Sequence, residues 1–188
     1  SSTSLTVTQQ FGYAGVTNVQ ADYDGDGRTD LAVYYPAIYL WHLSRSTDGY
    51  IAINFGAAGY KAVPADYDGD GKADLASINT NTWNWYIQYS SSGSVITQQF
   101  GFAGVDTLPA DYDGDGKADI AVFSPSLRQL YVFPSESHVQ YTIRTVTNGS
   151  YRVTGDFDGD GDDELAIYSP SAGSWNILGQ NDGTYQLS

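Results

Sequence analysis

The sequence predicts an all-β fold, a β-propeller of four blades, on three observations. An acidic string recurs four times, the residues after each copy alternate with the period of a strand, and no stretch carries helical periodicity. The strings Asp22-Tyr-Asp-Gly-Asp-Gly, Asp66-Tyr-Asp-Gly-Asp-Gly, Asp111-Tyr-Asp-Gly-Asp-Gly and Asp156-Phe-Asp-Gly-Asp-Gly start 44, 45 and 45 residues apart. A unit of about 45 residues is the length of a propeller blade. Ankyrin, tetratricopeptide and HEAT repeats of similar period need helices, and leucine-rich repeats are shorter. The units run at about 12–55, 56–100, 101–145 and 146–188, as one domain.

Each unit opens near a Phe-Gly pair: Phe11-Gly12, Phe55-Gly56 and Phe100-Gly101 precede their acidic strings by eleven residues, and Thr145-Val146 stands in that place in the last unit. After the string comes a strand: Leu31-Ala-Val-Tyr, Leu75-Ala-Ser-Ile, Ile120-Ala-Val-Phe and Leu165-Ala-Ile-Tyr. Large side chains are expected on one face and alanine on the other, so that a bulky face packs on the slim face of the next unit. The next strand is marked by Trp41, Trp85 and Trp175, nineteen residues after the first Asp, with Leu130 in the third unit. Turn signals at Ser46 to Gly49 and at Asn181-Asp-Gly precede a last strand such as Ile51-Ala-Ile-Asn-Phe. Four strands per unit follow. Leu5-Thr-Val-Thr-Gln-Gln-Phe copies the strand ending at Phe100, so residues 1–11 are expected to complete the last blade beside Trp175 to Leu178 and close the ring. An open half-ring that pairs with a second copy, as a homodimer, or with missing blades is the alternative.

The net charge of −14 is concentrated, because 18 of the 22 acids lie in the four loops; only Asp48, Asp106, Glu136 and Asp182 lie outside. Crowding of that kind opposes a compact state unless water or a cation relieves it, and four divalent ions would bring the charge to −6. The eight Lys and Arg are scattered singly, which gives no stripe for nucleic acid. No apolar run approaches the ~18 residues that span a bilayer, so membrane insertion is not expected. With no Cys, disulfides and thiolate metal sites are excluded. The Ser-Ser start and absence of Met read as a mature fragment or an excised domain.

In each loop, carboxylates stand at positions 1, 3, 5 and 9, with Gly at 4 and 6. Calcium takes six to eight hard oxygens, and four carboxylates plus the position 7 carbonyl nearly supply them. The expected ligands are Asp22, Asp24, Asp26, Arg28 (carbonyl) and Asp30; Asp66, Asp68, Asp70, Lys72 (carbonyl) and Asp74; Asp111, Asp113, Asp115, Lys117 (carbonyl) and Asp119; and Asp156, Asp158, Asp160, Asp162 and Glu164. About four calcium ions are therefore expected. Magnesium keeps more water and zinc prefers His or Cys. A solvated Asp-Gly turn explains one such loop but not four in phase. An EF-hand is excluded because Val33, Ser77, Val122 and Ile167 stand at position 12, where it places Glu, and a strand follows where it has a helix.

The Phe-Gly pairs and the repeated Asp-x-Asp-x-Asp-Gly-x-x-Asp loops resemble the FG-GAP or VCBS-type blades of integrin alpha-chain propellers, bacterial surface proteins and some fungal propeller lectins. The resemblance spans nearly the whole chain. It implies four-stranded antiparallel blades, each with its calcium loop between the first two strands, and ions with a structural role. It leaves the ligand open, since such propellers include adhesion receptors, lectins and appendages of carbohydrate-active enzymes.

His42 and His138 stand apart from any motif for catalysis, and the carboxylates have an ion to bind, so no enzyme is expected. The aromatics remain. The in-phase Trp41, Trp85 and Trp175 read as packing between blades, whereas Trp83, Tyr86 and Tyr131 are candidate ligand-binding residues because flat rings stack on sugars and anchor protein partners. The sequence thus points to a calcium-stabilised, secreted or cell-surface binding and adhesion module, lectin-like, with glycan as the favoured partner. A contact domain for a cell-surface protein or a structural spacer comes second, and a polysaccharide-cleaving enzyme third.

Overall fold

The computed structural model describes residues 8–145 and 151–179, and the backbone of 184–187. Its strands form four sheets, each an antiparallel meander in chain order. The first blade is β1 (Thr17–Asn18), β2 (Leu31–Tyr35), β3 (Leu40–Arg45) and β4 (Gly49–Asn54). The second is β5 (Lys61–Ala62), β6 (Leu75–Asn79), β7 (Asn84–Gln88) and β8 (Val95–Gln99). The third is β9 (Asp106–Thr107), β10 (Ile120–Ser124), β11 (Gln129–Phe133) and β12 (Tyr141–Arg144), and the fourth is β13 (Tyr151–Gly155), β14 (Glu164–Ser169), β15 (Ser174–Leu178) and β16 (Thr184–Leu187). The four blades are arranged as a four-blade β-propeller, and each acidic loop joins the first strand of its blade to the second.

The core is divided among the joints between successive blades. Ala32, Tyr34, Trp41 and Leu43 of the first blade pack with Leu75 of the second. Ala76, Ile78, Trp85 and Ile87 meet Ile120 and Val122 of the third, and Ala121, Phe123, Leu130 and Val132 meet Leu165, Ile167 and Leu178 of the fourth. The expected division into a bulky and a slim face is corrected here. Strand period puts Ala32 on the same face as Tyr34, and Ala76 and Ala121 on the same faces as Ile78 and Phe123, so the alanine face is completed by a large residue. Each joint also carries one backbone bond between adjacent loops: Ala73 N–H to the Asp22 carbonyl (2.6 Å), Ala118 to Asp66 (2.6 Å) and Asp163 to Asp111 (2.5 Å).

Trp41 and Trp85 are fully buried, and their indole N–H groups donate to the carbonyls of Phe55 (3.1 Å) and Phe100 (2.8 Å). Leu130 fills the same place in the third blade. Trp175 is only half-buried, its ring 5.0 Å from that of Tyr168. The Phe-Gly pairs mark where the chain leaves one blade for the next: Phe100 N–H bonds to the Trp83 carbonyl (2.8 Å), and Gly101 follows at φ 117°. A Cβ at Gly101 would lie 2.6 Å from Cε3 of Trp83. Gly101→Ala is therefore expected to cost about 2–4 kcal/mol, from backbone strain and overpacking together. Gly59→Ala, at φ 82° with open space around it, should cost only the backbone part, about 1–2 kcal/mol. Urea midpoints compare the two, and equal losses would show that Trp83 exerts no crowding.

The chain termini depart from expectation. The place beside Trp175 to Leu178 is held by β16, with Trp175 opposite Leu187 and Leu178 opposite Thr184. Residues 8–11 form no strand, and residues 1–7 lie outside the described residues, as do Val146 and the turn at Asn181-Asp-Gly. β16 follows β15 directly in the chain, so it reaches that place at a smaller loop-closure cost than residues 1–11 would.

Candidate functional site

Each acidic loop is curled by its own first carboxylate. Asp22 accepts the backbone N–H groups of Gly25 (2.7 Å) and Gly27 (2.8 Å), and Asp66 and Asp111 do the same for Gly69 and Gly71, and for Gly114 and Gly116. The acid at position 9 is buried at the base. Asp30, Asp74, Asp119 and Glu164 accept the N–H of Tyr23 (2.9 Å), Tyr67 (2.9 Å), Tyr112 (3.0 Å) and Phe157 (2.8 Å) respectively. The backbone N–H of Arg28, Lys72 and Lys117 donates to the position 5 carboxylates at 2.9, 2.9 and 2.8 Å.

Three serines missed by the sequence reading lock these loops to the turn between the third and fourth strands. The N–H groups of Ser46, Ser90 and Ser135 donate to Asp30, Asp74 and Asp119, each at 2.7 Å. Their hydroxyls donate to Asp26 (2.5 Å), Asp70 (2.8 Å) and Asp115 (2.5 Å). The signal was present: all three stand 24 residues after the first Asp of their loop, where the fourth unit has Gln180, outside the described residues. A second missed position is the tyrosine at loop position 2. Tyr23, Tyr67 and Tyr112 are buried and donate their hydroxyls to the carbonyls of Val19, Val63 and Leu108.

Five carboxylate groups have oxygens within 4.8 Å of one another: Asp22, Asp24 and Asp30; Asp66, Asp68 and Asp70; Asp111, Asp113 and Asp115; Asp156, Asp158 and Glu164; and Asp160, Asp162 and Glu164. Each could hold a metal ion. Asp26, Asp74 and Asp119, expected as ligands, stand outside these groups; like Asp30, Asp70 and Asp115 inside them, they accept hydrogen bonds from the serines. Two oxygens fit a cation in particular, since Asp24 Oδ1 and Glu164 Oε1 are buried with no hydrogen-bond partner. Burial is the first cause of the raised carboxyl pKa values of Asp74 (about 6) and Asp119 (about 7), and it also pushes Glu164 and Asp113 upward. Asp24 is held low by the Thr47 N–H and Asp26 by the Ser46 hydroxyl. A bound cation would offset this cost of holding acids in a dry, crowded loop.

The aromatic candidates divide. Tyr86 and Tyr131, 45 residues apart, line two clefts in the same phase of the repeat. One, of about 430 Å³, is walled by Asn54, Phe55, Gly56, Tyr60 and Tyr86; the other, of about 380 Å³, by Gln99, Phe100, Gly101, Phe102 and Tyr131. Tyr60 stacks on Tyr86 with ring centroids 5.5 Å apart, and Phe102 meets Tyr131 edge-on at 5.3 Å. Trp83 is different. It is half-buried, packs against the second core cluster, and has φ 59° like the in-phase Tyr39, Arg128 and Gly173 at 48°, 54° and 65°. It serves the hairpin and the Gly101 crossing. His42 bonds to the hydroxyls of Tyr13 (3.2 Å) and Tyr50 (2.6 Å), while His138 sits edge-on to Phe133 at 5.6 Å.

Fold and loops together define a propeller of repeated blades with acidic loops that could hold a cation. The chain belongs to the FG-GAP repeat family: it matches the FG-GAP-like repeat over residues 22–77, 66–122 and 111–167 and the FG-GAP repeat over 153–186. Among solved structures it is similar to the V. cholerae biofilm matrix protein Bap1, at 19% identity and a TM-score of 0.41, over 93% of this chain and 30% of that one. No curated protein matches the sequence. No helix among the described residues is long and apolar enough to cross a membrane.

Proposed function

We propose that this chain is a calcium-stabilised extracellular binding or adhesion module, without catalytic activity, whose clefts take glycan. The calcium would be held by Asp22, Asp24, Asp26 and Asp30, with the Arg28 carbonyl, and by the in-phase residues of the second and third loops. In the fourth it would be held by Asp156, Asp158, Asp160, Asp162 and Glu164. Calcium supplies these loops with neutralising charge and a rigid centre, a structural role. The buried, unpartnered oxygens of Asp24 and Glu164 support the assignment, as does the absence of a sulfur or imidazole donor from all five groups.

The observation that carries the ligand reading is the pair of in-phase clefts at Tyr86 and Tyr131. Each offers an aromatic wall and a side-chain amide, from Asn54 or Gln99. Flat rings stack on the apolar face of a pyranose while amides meet its hydroxyls, and two copies of a weak site add through avidity. A glycan array on the calcium-loaded chain, followed by titration calorimetry of the best hit, tests this. Tyr86→Ala with Tyr131→Ala should weaken the hit at least about tenfold, equivalent to about 1.4 kcal/mol. An array with no hit, or affinity unchanged in a double variant of native circular dichroism, would refute glycan binding and return the surface to a protein partner.

A further inference from the structure

The fourth loop departs from the other three at the acid of position 9. In the first three loops that acid is an aspartate with both oxygens engaged by backbone. One oxygen accepts the N–H of Tyr23, Tyr67 or Tyr112, and the other accepts the N–H of Ser46, Ser90 or Ser135. In the fourth loop it is Glu164, which is 1% exposed. Its Oε2 accepts the Phe157 N–H, while Oε1 is buried without a hydrogen-bond partner. A buried carboxylate oxygen that no donor reaches is satisfied by a cation or by a proton.

The acids around Glu164 fall into two groups, where each of the other loops has one. Oxygens of Asp156 and Asp158 lie within 4.8 Å of one another and of a Glu164 oxygen, and so do oxygens of Asp160 and Asp162. The difference is written in the sequence. Position 7 is Arg28, Lys72 or Lys117 in the first three loops and Asp162 in the fourth; position 8 is Thr29, Ala73 or Ala118, and then Asp163. Each of the first three loops therefore carries four acids and one base, a net charge of −3, and the fourth carries six acids and no base, a net charge of −6. One divalent ion leaves −1 on each of the first three loops and −4 on the fourth, and a second ion brings the fourth to −2. Asp163 belongs to neither group, because its carboxylate accepts the Asp111 N–H of the preceding blade at 3.1 Å.

We propose that the fourth loop holds two calcium ions, one among Asp156, Asp158 and Glu164 and a second among Asp160, Asp162 and Glu164, with Glu164 as the shared carboxylate. The proposal rests on the reading of the loops as calcium sites. Every donor in both groups is a carboxylate oxygen, the hard type that calcium takes, and water completes each shell. One ionised carboxylate has lone pairs enough to serve two ions. Two dications side by side repel each other, so the second ion enters at higher calcium than the four that bind one to a loop. Asp162 is the residue that turns a single site into a double one.

Equilibrium dialysis of the full chain against radioactive calcium, from micromolar to several millimolar, counts the ions. The wild type is expected to saturate at five, the fifth filling last. Asp162→Lys gives the fourth loop the residue of the second and third, and it should saturate at four, as should Asp162→Ala, both with native circular dichroism. Asp163→Ala removes the same side chain from the next position, outside both groups, and should keep all five. Four ions on the wild type, five on Asp162→Ala, or four on Asp163→Ala would overturn the second site while leaving one calcium to each loop. No bound calcium on any of these proteins would overturn the second site and the calcium reading beneath it together.

Discussion

Removing divalent cations with excess chelator is expected to lower the melting temperature by about 20 °C or more. One site that binds only the folded chain adds about 2.7 kcal/mol when ligand stands at a hundred times its dissociation constant, and a chain of this size loses about 2–4 °C per kcal/mol. Four loops of this kind sum to several such contributions. The direction rests on the carboxylate groups: with the cation gone, Asp22, Asp24 and Asp30 remain within 4.8 Å of one another, and Asp74 and Asp119 remain buried in acidic company. Circular dichroism melts with calcium and with chelator read the shift, and elemental analysis gives the number of ions, about four. A chelator-insensitive melt together with a metal-free preparation would sink the calcium reading for every loop at once.

Trp85→Ala is expected to cost about 4–5 kcal/mol, among the largest losses of any single side chain in the blades. The ring is fully buried between the second and third blades, and its truncation leaves a cavity as well as a Phe100 carbonyl without its 2.8 Å donor. Trp83→Ala removes a ring of the same size, yet one that is half-buried and held at φ 59°. Its loss should be about half as large, since less area returns to water. Urea denaturation of the two variants beside the wild type makes the comparison. Equal costs would mean that Trp83 is as much a core residue as Trp85.

What could be read from the sequence was whatever repeats in both identity and phase. The acidic loops, the strands after them and the buried Trp41 and Trp85 share a chemical reason at every copy, so four copies exposed it. The three serines at 46, 90 and 135 repeat as well, but a serine in a turn has many uses, and only the fold brings it to a carboxylate 16 to 20 residues earlier. The hairpin position shared by Tyr39, Trp83, Arg128 and Gly173 repeats in backbone angle alone, with four unlike side chains, and so left no mark. The place beside Trp175 to Leu178 is taken by Thr184 to Leu187, because similarity of residues says which segment could serve there and nothing of which lies nearer along the chain.

Among the described residues the core falls into three clusters, each shared by two blades, and this bears on how the molecule tolerates damage. Most globular domains of this length stake their stability on one interior, so that a single poor substitution is felt throughout. Here a flaw at Ile78 is confined to the joint between the second and third blades, and one at Phe123 to the joint between the third and fourth. Because every joint obeys the same pattern, variation at one blade can be tried while its neighbours hold the structure. Surfaces such as the Tyr86 and Tyr131 clefts can thus drift apart in preference, each blade carrying its own record of change.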